Sequence, residues 1–263
     1  MSLVDEDKDT ADFGFRKVPA KEKASWVRNH FDTVAPKYDT MNTLLSFGIH
    51  YVWKHTAVGL LKLKPGDSVI DACGGTGDLS VLSARKVGPS GSVVLYDINR
   101  PMMETGKYKS SNAKYRRQIC YVQGDAERIS FRSGRFDAAI VGFGIRNVTD
   151  MGQGFREMYR VLKPGGRFVC LEFSKPTTAW FRRLYDFYSF HIMPFLGRMI
   201  VGSRQAYTYL PESIRLFPSP AELTRLLEEI GFRQVTYRRL TNGIAVIHVG
   251  VKDEYAQGTP SKA

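Results

Sequence analysis

The sequence predicts an α/β fold built on a seven-stranded, mostly parallel sheet. Between residues 68 and 173, five short apolar segments alternate with segments of helical periodicity, which is the pattern of βαβ units. After residue 219, a helix start with a capping-box sequence is followed by two strand-like segments around Thr241-Asn242-Gly243. That turn signal predicts a final antiparallel pair, so the sheet should end in a hairpin.

The N-terminal region carries no strand-like alternation. We predict that residues 1–20 form a disordered terminus and that residues 21–34 form an amphipathic helix. Residues 38–48 are interpreted as a loop or short helix, and residues 50–63 as a helix ended by Lys64-Pro65-Gly66. We expect the segment 21–63 to form a helical lid beside the sheet.

The remaining elements follow in order along the chain. Strands are predicted at residues 68–72, 92–97, 119–122, 136–142, 167–173, 233–240 and 244–251, with helices at 79–87, 101–113, 150–162 and 220–230. Residues 177–217 interrupt this alternation of strands and helices and are rich in aromatic side chains. We predict that they form an inserted helical cap. The sequence therefore predicts one Rossmann-like domain over residues 21–252, followed by a flexible tail at 253–263.

Composition excludes several classes of protein. Of the 263 residues 43% are hydrophobic and 24% charged, as in an ordinary globular chain, which excludes disorder of the whole chain. The three cysteines are far apart in sequence, which excludes a CxxC zinc or redox site, and the five histidines show no metal-ligand spacing. The longest uncharged run in the most apolar region covers residues 187–197, too short for a membrane span. We expect no metal and a cytoplasmic location.

A glycine-rich turn follows the first predicted strand and reads Asp71-Ala72-Cys73-Gly74-Gly75-Thr76-Gly77-Asp78. Glycines allow a ligand to approach the backbone at a helix N-terminus. Asp97 ends the next strand, 20 residues after Gly77, where a carboxylate can accept both hydroxyls of a ribose. The turn and this carboxylate together predict a nucleoside-containing ligand.

The choice between a dinucleotide and S-adenosylmethionine depends on three details. The dinucleotide pattern G-x-G-x-x-G needs a third glycine where this chain has Ser80. Asp71 would repel a pyrophosphate but suits a cationic amino-acid or sulfonium group. Asp125 and Ala126 follow the third strand, where a carboxylate can accept from an adenine amino group. The combination resembles class I S-adenosylmethionine-dependent methyltransferases, although Cys73 stands where that class usually has glycine.

Three longer motifs narrow the resemblance. They are Tyr38-Asp39-Thr40-Met41-Asn42-Thr43-Leu44-Leu45-Ser46-Phe47-Gly48-Ile49-His50-Tyr51-Val52-Trp53, Gly142-Phe143-Gly144-Ile145-Arg146-Asn147-Val148-Thr149-Asp150 and Arg160-Val161-Leu162-Lys163-Pro164-Gly165-Gly166-Arg167-Phe168-Val169-Cys170-Leu171-Glu172-Phe173-Ser174. They resemble the ubiquinone/menaquinone biosynthesis C-methyltransferase family over residues 25–252. The candidate residues for binding S-adenosylmethionine are Asp71, Gly75, Thr76, Gly77, Asp97, Asp125, Ala126 and Gly142.

The resemblance implies methylation of a ring carbon of a polyprenylated benzoquinol or naphthoquinol. Such a carbon is nucleophilic when a neighbouring hydroxyl donates electron density, so the phenol, of free pKa about 10, should lose its proton. Arg146 and Asn147 follow the fourth strand and, with Tyr38, are the catalytic candidates. Arg146 is expected to stabilise the phenolate, with a structural salt bridge as the alternative. His50 is a further candidate base, or a packed helix-start histidine.

The cap suggests how an acceptor would be held. Its aromatic residues could line a channel for a polyprenyl tail, with Arg182, Arg183, Arg198 and Arg204 facing anionic lipid at the inner face of the plasma membrane. An ordinary helical core or a homodimer interface is the alternative. Other open alternatives are a different small phenolic or sterol-like acceptor, and an RNA-binding protein suggested by the net charge of +12. Because the basic residues are dispersed, we expect no nucleic-acid partner.

Overall fold

The structure is a computed structural model that describes residues 10–109, 114–201 and 204–254, with backbone only for 201 and 204–206. At the N-terminus, two short strands form an antiparallel hairpin, β1 (Thr10–Phe13) and β2 (Arg16–Pro19). Three helices follow: α1 (Ala20–Val34), α2 (Tyr38–Leu45) and α3 (Ile49–Leu60).

The hairpin corrects the prediction that residues 1–20 are disordered, as far as the described residues 10–19 are concerned. Phe13 and Val18 are buried in a small cluster with Val27 of α1, and the ring of Phe13 stacks on Tyr209 at a centroid distance of 4.4 Å. Two strands of four residues are too short to show a clear alternation, and Tyr209, on which Phe13 stacks, lies far away in sequence. The burial that stabilises this hairpin was therefore not visible in the sequence.

The rest of the described chain alternates strands and helices before the cap. The elements are β3 (Ser68–Ala72), α4 (Asp78–Val87), β4 (Ser92–Asp97), α5 (Arg100–Tyr108), β5 (Ile119–Gln123), β6 (Phe136–Gly142), α6 (Met151–Val161) and β7 (Leu162–Phe173). The helices α7 (Ala179–Phe187), α8 (Met193–Val201) and α9 (Arg204–Leu216) follow, with a π-helical turn at Tyr188–Ile192 between the first two. The chain continues as α10 (Pro220–Ile230), β8 (Phe232–Leu240) and β9 (Ala245–Lys252).

The predicted fold class is confirmed. The seven-stranded sheet has the order β5-β4-β3-β6-β7-β9-β8, in which β9 runs antiparallel to both β7 and β8. All seven predicted strands are present, but β7 begins at Leu162, five residues before its predicted start. A bulge accommodates the Lys163–Gly166 segment, because Phe136 pairs with Leu162 while Ala138 pairs with Arg167.

Both faces of the sheet are buried. Val69 belongs to the apolar cluster on one face and Ile70 to the cluster on the other, as expected for successive strand residues. The strand order reverses between β3, which also pairs with β4, and β6. In open α/β sheets a crevice forms beyond the carboxyl ends of the strands at such a reversal. Among the described residues, no helix is both long and apolar enough to cross a membrane.

Candidate active site

The glycine-rich turn lies in the crevice where the strand order reverses. Cys73, Gly75 and Gly77 all have positive φ angles, of 54°, 53° and 84°, so the turn uses the left-handed region three times. A side chain at Gly74 would bring its Cβ to 2.7 Å from Leu95, so this position has no room for one. The turn thereby brings main-chain groups of residues 74–76 to the wall of a cleft.

We call this cleft the strand-end cleft. It is lined by all but one of the predicted cofactor-binding residues, together with Tyr38 and Asn147 of the catalytic candidates: Tyr38, Asp71, Gly75, Thr76, Asp97, Asp125, Ala126, Gly142 and Asn147. Gly77 does not line the cleft. Its backbone is in the left-handed conformation, and it directly precedes α4. The backbone of Gly142 lies close to the side chain of Leu79, since a Cβ added at Gly142 would lie 2.5 Å from it.

Two buried carboxylates face this cleft. Asp97 accepts backbone N–H bonds from Gly75 (2.8 Å, Oδ2) and Asn99 (2.7 Å, Oδ1), yet burial raises its pKa to about 6. Asp71 is fully buried and accepts a bond of 2.6 Å from Ser80 Oγ on Oδ2. Its Oδ1 atom is buried and has no hydrogen-bond partner, and burial raises its pKa to about 7. An unpaired buried carboxylate oxygen fits a cationic ligand group.

A polar network joins α2 to the glycine-rich turn. Asp39 accepts from Thr76 Oγ1 at 2.8 Å on Oδ1, and its Oδ2 lies 2.5 Å from Lys109 Nζ. Lys109 also reaches Asp78 at 3.1 Å, and Asp78 pairs with the buried Lys54 at 2.6 Å. Although burial raises the pKa of Asp78, the two lysines lower it to about 2 in sum. We call these contacts the α2 latch; they place the lid residue Asp39 beside the cleft.

A second cavity of about 640 Å³ opens between α1, α2, α3 and the cap, and we call it the cap cavity. Its volume lies within the ordinary range for small-molecule sites. Aromatic and aliphatic residues of the predicted cap line it, among them Phe181, Leu184, Tyr185, Phe187, Tyr188 and Met193. Four residues line both this cavity and the strand-end cleft: Phe31, Tyr38, Lys54 and Phe143. The two cavities are therefore neighbours that share part of their walls.

Arg146 lies at the wall of the cap cavity, in the turn after β6. Its Nη1 donates to the Phe143 carbonyl at 2.5 Å and to Glu172 Oε2 at 2.9 Å, and its guanidinium lies 5.4 Å from the Phe173 ring centroid. Arg146 thus forms the salt bridge that was the alternative to a role at the acceptor, while also lining the cavity. Glu172 was not predicted as a functional residue, since one carboxylate within a strand motif gives no signal of its partner.

The other candidates have distinct surroundings. Asn147 is buried, and its Oδ1 accepts from Tyr209 Oη of α9 at 2.9 Å, so the cap orients this side chain. His50 lines the cap cavity, and burial lowers its pKa to about 4. It is a neutral but weakly basic group at neutral pH, and it is not suited to take a proton from a phenol. No cluster of three or more candidate metal ligands occurs in the described part of the chain.

The fold and the strand-end cleft define a class I S-adenosylmethionine-dependent methyltransferase. A solved methyltransferase from Thermotoga maritima, described as a possible histamine N-methyltransferase, has the same fold, with a TM-score of 0.59 and 19% identity over 86% of this chain and all of that one. The chain itself belongs to the ubiE/COQ5 methyltransferase family, which it matches over residues 10–252.

Curated relatives agree with this assignment. The ubiquinone/menaquinone biosynthesis C-methyltransferase UbiE of Photorhabdus laumondii is 45% identical over 95% of this chain and 100% of its own length. The protein of the same name from Haemophilus ducreyi is 46% identical over 93% of this chain and 94% of its own. The predicted family, the methyltransferase activity and the cofactor S-adenosylmethionine are therefore confirmed.

Proposed function

We propose that the chain methylates a ring carbon of a polyprenylated quinol in respiratory quinone biosynthesis, with S-adenosylmethionine in the strand-end cleft and the quinol in the cap cavity. The observation that carries the proposal is the shared wall of Phe31, Tyr38, Lys54 and Phe143 between the two cavities. It allows a donor and an acceptor to meet inside one chain. The names of the relatives, which specify ubiquinone and menaquinone biosynthesis, favour a quinol over the other phenolic acceptors.

The residues of the strand-end cleft fit the cofactor. Asp97 keeps free acceptor capacity for ribose hydroxyls, because a carboxylate offers about four lone-pair sites and two are used by backbone N–H groups. The unpartnered Oδ1 of Asp71 suits the positive charge of the amino-acid portion. Asp125 lies two residues after the end of β5, with Ala126 next to it, and is the proposed partner of the adenine amino group. When bound, S-adenosylmethionine supplies an electrophilic methyl group on a sulfonium.

The chain's own task is to make the acceptor carbon nucleophilic. Arg146 carries a permanent charge at the wall of the cap cavity, so it favours the phenolate over the neutral phenol. The ring carbon that gains the methyl group then loses its own proton, which restores the aromatic ring. Tyr38 and Asn147 border the strand-end cleft next to this point, where they can orient the two reactants. Alignment and exclusion of water supply much of the acceleration in such reactions.

Incubation with labelled S-adenosylmethionine tests the proposal directly. The purified chain is mixed anaerobically with a demethylated benzoquinol, a demethylated naphthoquinol, a sterol or a simple phenol, and the lipid products are separated by chromatography. We expect label in one or both quinols. Label in the sterol or the phenol alone would refute the quinol assignment while leaving the methyltransferase activity in place.

A membrane surface is the proposed source of the acceptor. Five exposed apolar side chains line the cap cavity and also face outward, and we call them the rim patch: Phe47, Ile49, Leu184, Phe187 and Ile192. Phe47 is 86% exposed. The exposed Arg182, Arg183 and Arg198 lie on α7 and α8 nearby in sequence, so anionic lipid complements their charge. The side chain of Arg204 lies outside the described residues. Peripheral binding would let a polyprenyl tail enter from the bilayer.

Vesicle sedimentation distinguishes a membrane-binding rim patch from the alternative, a homodimer interface. We expect the chain to bind phosphatidylglycerol vesicles more strongly than phosphatidylcholine vesicles. Replacing Phe47 and Leu184 by Glu, two residues of the rim patch, should reduce that binding. If the double variant binds vesicles normally but loses self-association in sedimentation equilibrium, a second copy of the chain covers this surface instead. The cytoplasmic location stays a prediction.

A further inference from the structure

Glu172 is a buried carboxylate that the proposed mechanism does not use. It is 1% exposed, lies near the end of β7, and is not among the lining residues of either cavity. Its Oε2 accepts from Arg146 Nη1 at 2.9 Å and from its neighbour's backbone N–H, Phe173 N, at 3.1 Å. Glu172 therefore makes no direct contact with a ligand in either cavity, and Arg146 stands between it and the cap cavity as its charged partner.

The guanidinium of Arg146 is held from two sides. The Phe143 carbonyl and Glu172 accept from the same nitrogen, Nη1, and the Phe173 ring packs against the guanidinium. An isolated buried cation is costly, so removing its carboxylate partner altogether would release Arg146 from this place. While Glu172 is ionised the pair has nearly zero net charge, so Glu172 weakens the field that Arg146 exerts in the cap cavity. Burial raises the pKa of the Glu172 carboxyl, and the positive charge of Arg146 opposes that rise.

We propose that Glu172 is a positioning residue that fixes Arg146 at the wall of the cap cavity and sets how strongly its charge attracts a phenolate there. The inference rests on the proposed function, because it assumes a phenolic acceptor in that cavity. It makes the Arg146–Glu172 pair, and not Arg146 alone, the unit that determines the pH at which a bound phenol ionises.

Other titratable groups face the pair from every side. They are His30 of α1, Cys73 of the glycine-rich turn, Cys170 of β7, Tyr185 of α7 and Tyr209 of α9. Burial lowers the pKa of the histidine to about 4 and raises the pKa of each tyrosine to about 12. Burial also raises the pKa of both thiols. All five groups therefore stay uncharged between about pH 5 and pH 9. Asp71 and Asp97 of the strand-end cleft do ionise in that window, but a comparison of variants with both residues intact cancels their contribution.

Glu172→Gln tests the proposal. The amide oxygen can still accept from Arg146 Nη1, but the negative charge is gone. The probe is a nitrophenol whose free pKa lies near neutrality and whose ionisation is followed by absorbance in the protein–probe complex. We expect the bound probe to ionise at a pH lower by about one unit in the Gln variant than in the wild type, a tenfold change in the equilibrium. The pH at which quinol methylation is half-maximal should move in the same direction.

Glu157→Gln is the matched control. Glu157 pairs with Arg160 on α6 at 2.7 Å, so this variant removes the same charge from another Arg–Glu pair and should leave the probe titration unchanged. Calorimetry with S-adenosylmethionine checks that each variant is folded. If Glu172→Gln does not fold, Glu172→Asp decides, since it keeps the charge on a shorter side chain and should not lower the pH of probe ionisation.

Two results would overturn the proposal. One is a probe that ionises at the same or a higher pH in Glu172→Gln than in the wild type. The other is an equal downward shift in Glu172→Asp, which would mean that the charge is not the cause. Failure of the proposed function is recognised separately, because it shows as a wild-type chain that transfers no methyl group to any quinol, whereas the probe titration requires no turnover.

Discussion

At the residue scale, the strand-end cleft contains carboxylates that are costly to bury. Asp71 and Asp97 both have a raised pKa, of about 7 and about 6, because burial disfavours their charged forms. Their few hydrogen bonds offset only part of that cost. Burying these carboxylates lowers the stability of the fold, but it leaves a site already arranged for a cationic, hydroxyl-bearing ligand. Such a loss of stability is common at binding sites.

Asp97→Ala should weaken S-adenosylmethionine binding at least tenfold. The substitution removes two hydrogen bonds from ribose hydroxyls to a charged acceptor, each worth roughly 1.5–3 kcal/mol. Titration calorimetry gives the affinity, and thermal unfolding of the ligand-free protein checks that the fold survives. An unchanged dissociation constant in a folded variant would show that Asp97 does not bind the ribose.

Asp71→Asn should change stability in a pH-dependent way. The raised pKa means that the folded wild type binds more protons than the unfolded chain between about pH 4 and pH 7, so this residue's contribution to stability falls as the pH rises. An amide can keep the Ser80 bond but does not ionise. Relative to the wild type, the variant should therefore gain stability across that window, by up to about 4 kcal/mol.

Denaturant unfolding at pH 4 and pH 8, without ligand, measures this difference. Because Asp71 is the proposed partner of the cofactor's positive charge, the same variant should bind S-adenosylmethionine more weakly at pH 8. A stability difference that does not vary with pH would mean that folding does not raise the pKa of Asp71. Equal cofactor affinity would remove its proposed role.

At the element scale, the strands and most helices could be predicted because their patterns are local. The five parallel strands are apolar runs bounded by turn residues, and Ser219-Pro220-Ala221-Glu222 does form the predicted capping box. What the sequence did not reveal depends on distant partners. Glu172 meets Arg146 only through the pairing of β6 with β7, and the α2 latch joins residues 39, 54, 78 and 109.

Asp39→Asn should loosen the α2 latch. The side chains of Asp39 and Lys109 are 30% and 18% exposed, so their ion pair is partly screened and worth about 1 kcal/mol. Its loss should speed dissociation of S-adenosylmethionine about fivefold, because α2 then covers the cleft less firmly. Stopped-flow displacement measures the rate. Asp12→Asn, which breaks the exposed Asp12–Lys17 pair, is the control and should leave dissociation unchanged. Equal rates in both variants would mean that α2 does not restrain the cofactor.

At the scale of the whole molecule, the domain places a polar cleft beside an apolar cavity. The cleft is built from strand ends and a glycine-rich turn, whereas the cavity is built from the N-terminal helices and the cap. The sheet therefore provides the cofactor site common to the class. The helices added before and within the sheet form the cavity that selects the methyl acceptor. Tyr38 and Phe143, which line both cavities, lie where these two parts of the fold meet.

This arrangement predicts that the enzyme methylates only the reduced ring. A quinone carbonyl withdraws electron density from the ring carbon, whereas a quinol hydroxyl donates it, and more so once it is deprotonated beside Arg146. In an anaerobic assay with matched quinol and quinone pools and labelled S-adenosylmethionine, the label should enter the quinol pool. Adding a chemical reductant to the quinone pool should restore incorporation, and Arg146→Ala should lower turnover on quinol far more than cofactor affinity. Equal incorporation into fully oxidised quinone without a reductant would contradict activation by a ring hydroxyl, and with it the role of the Arg146 charge.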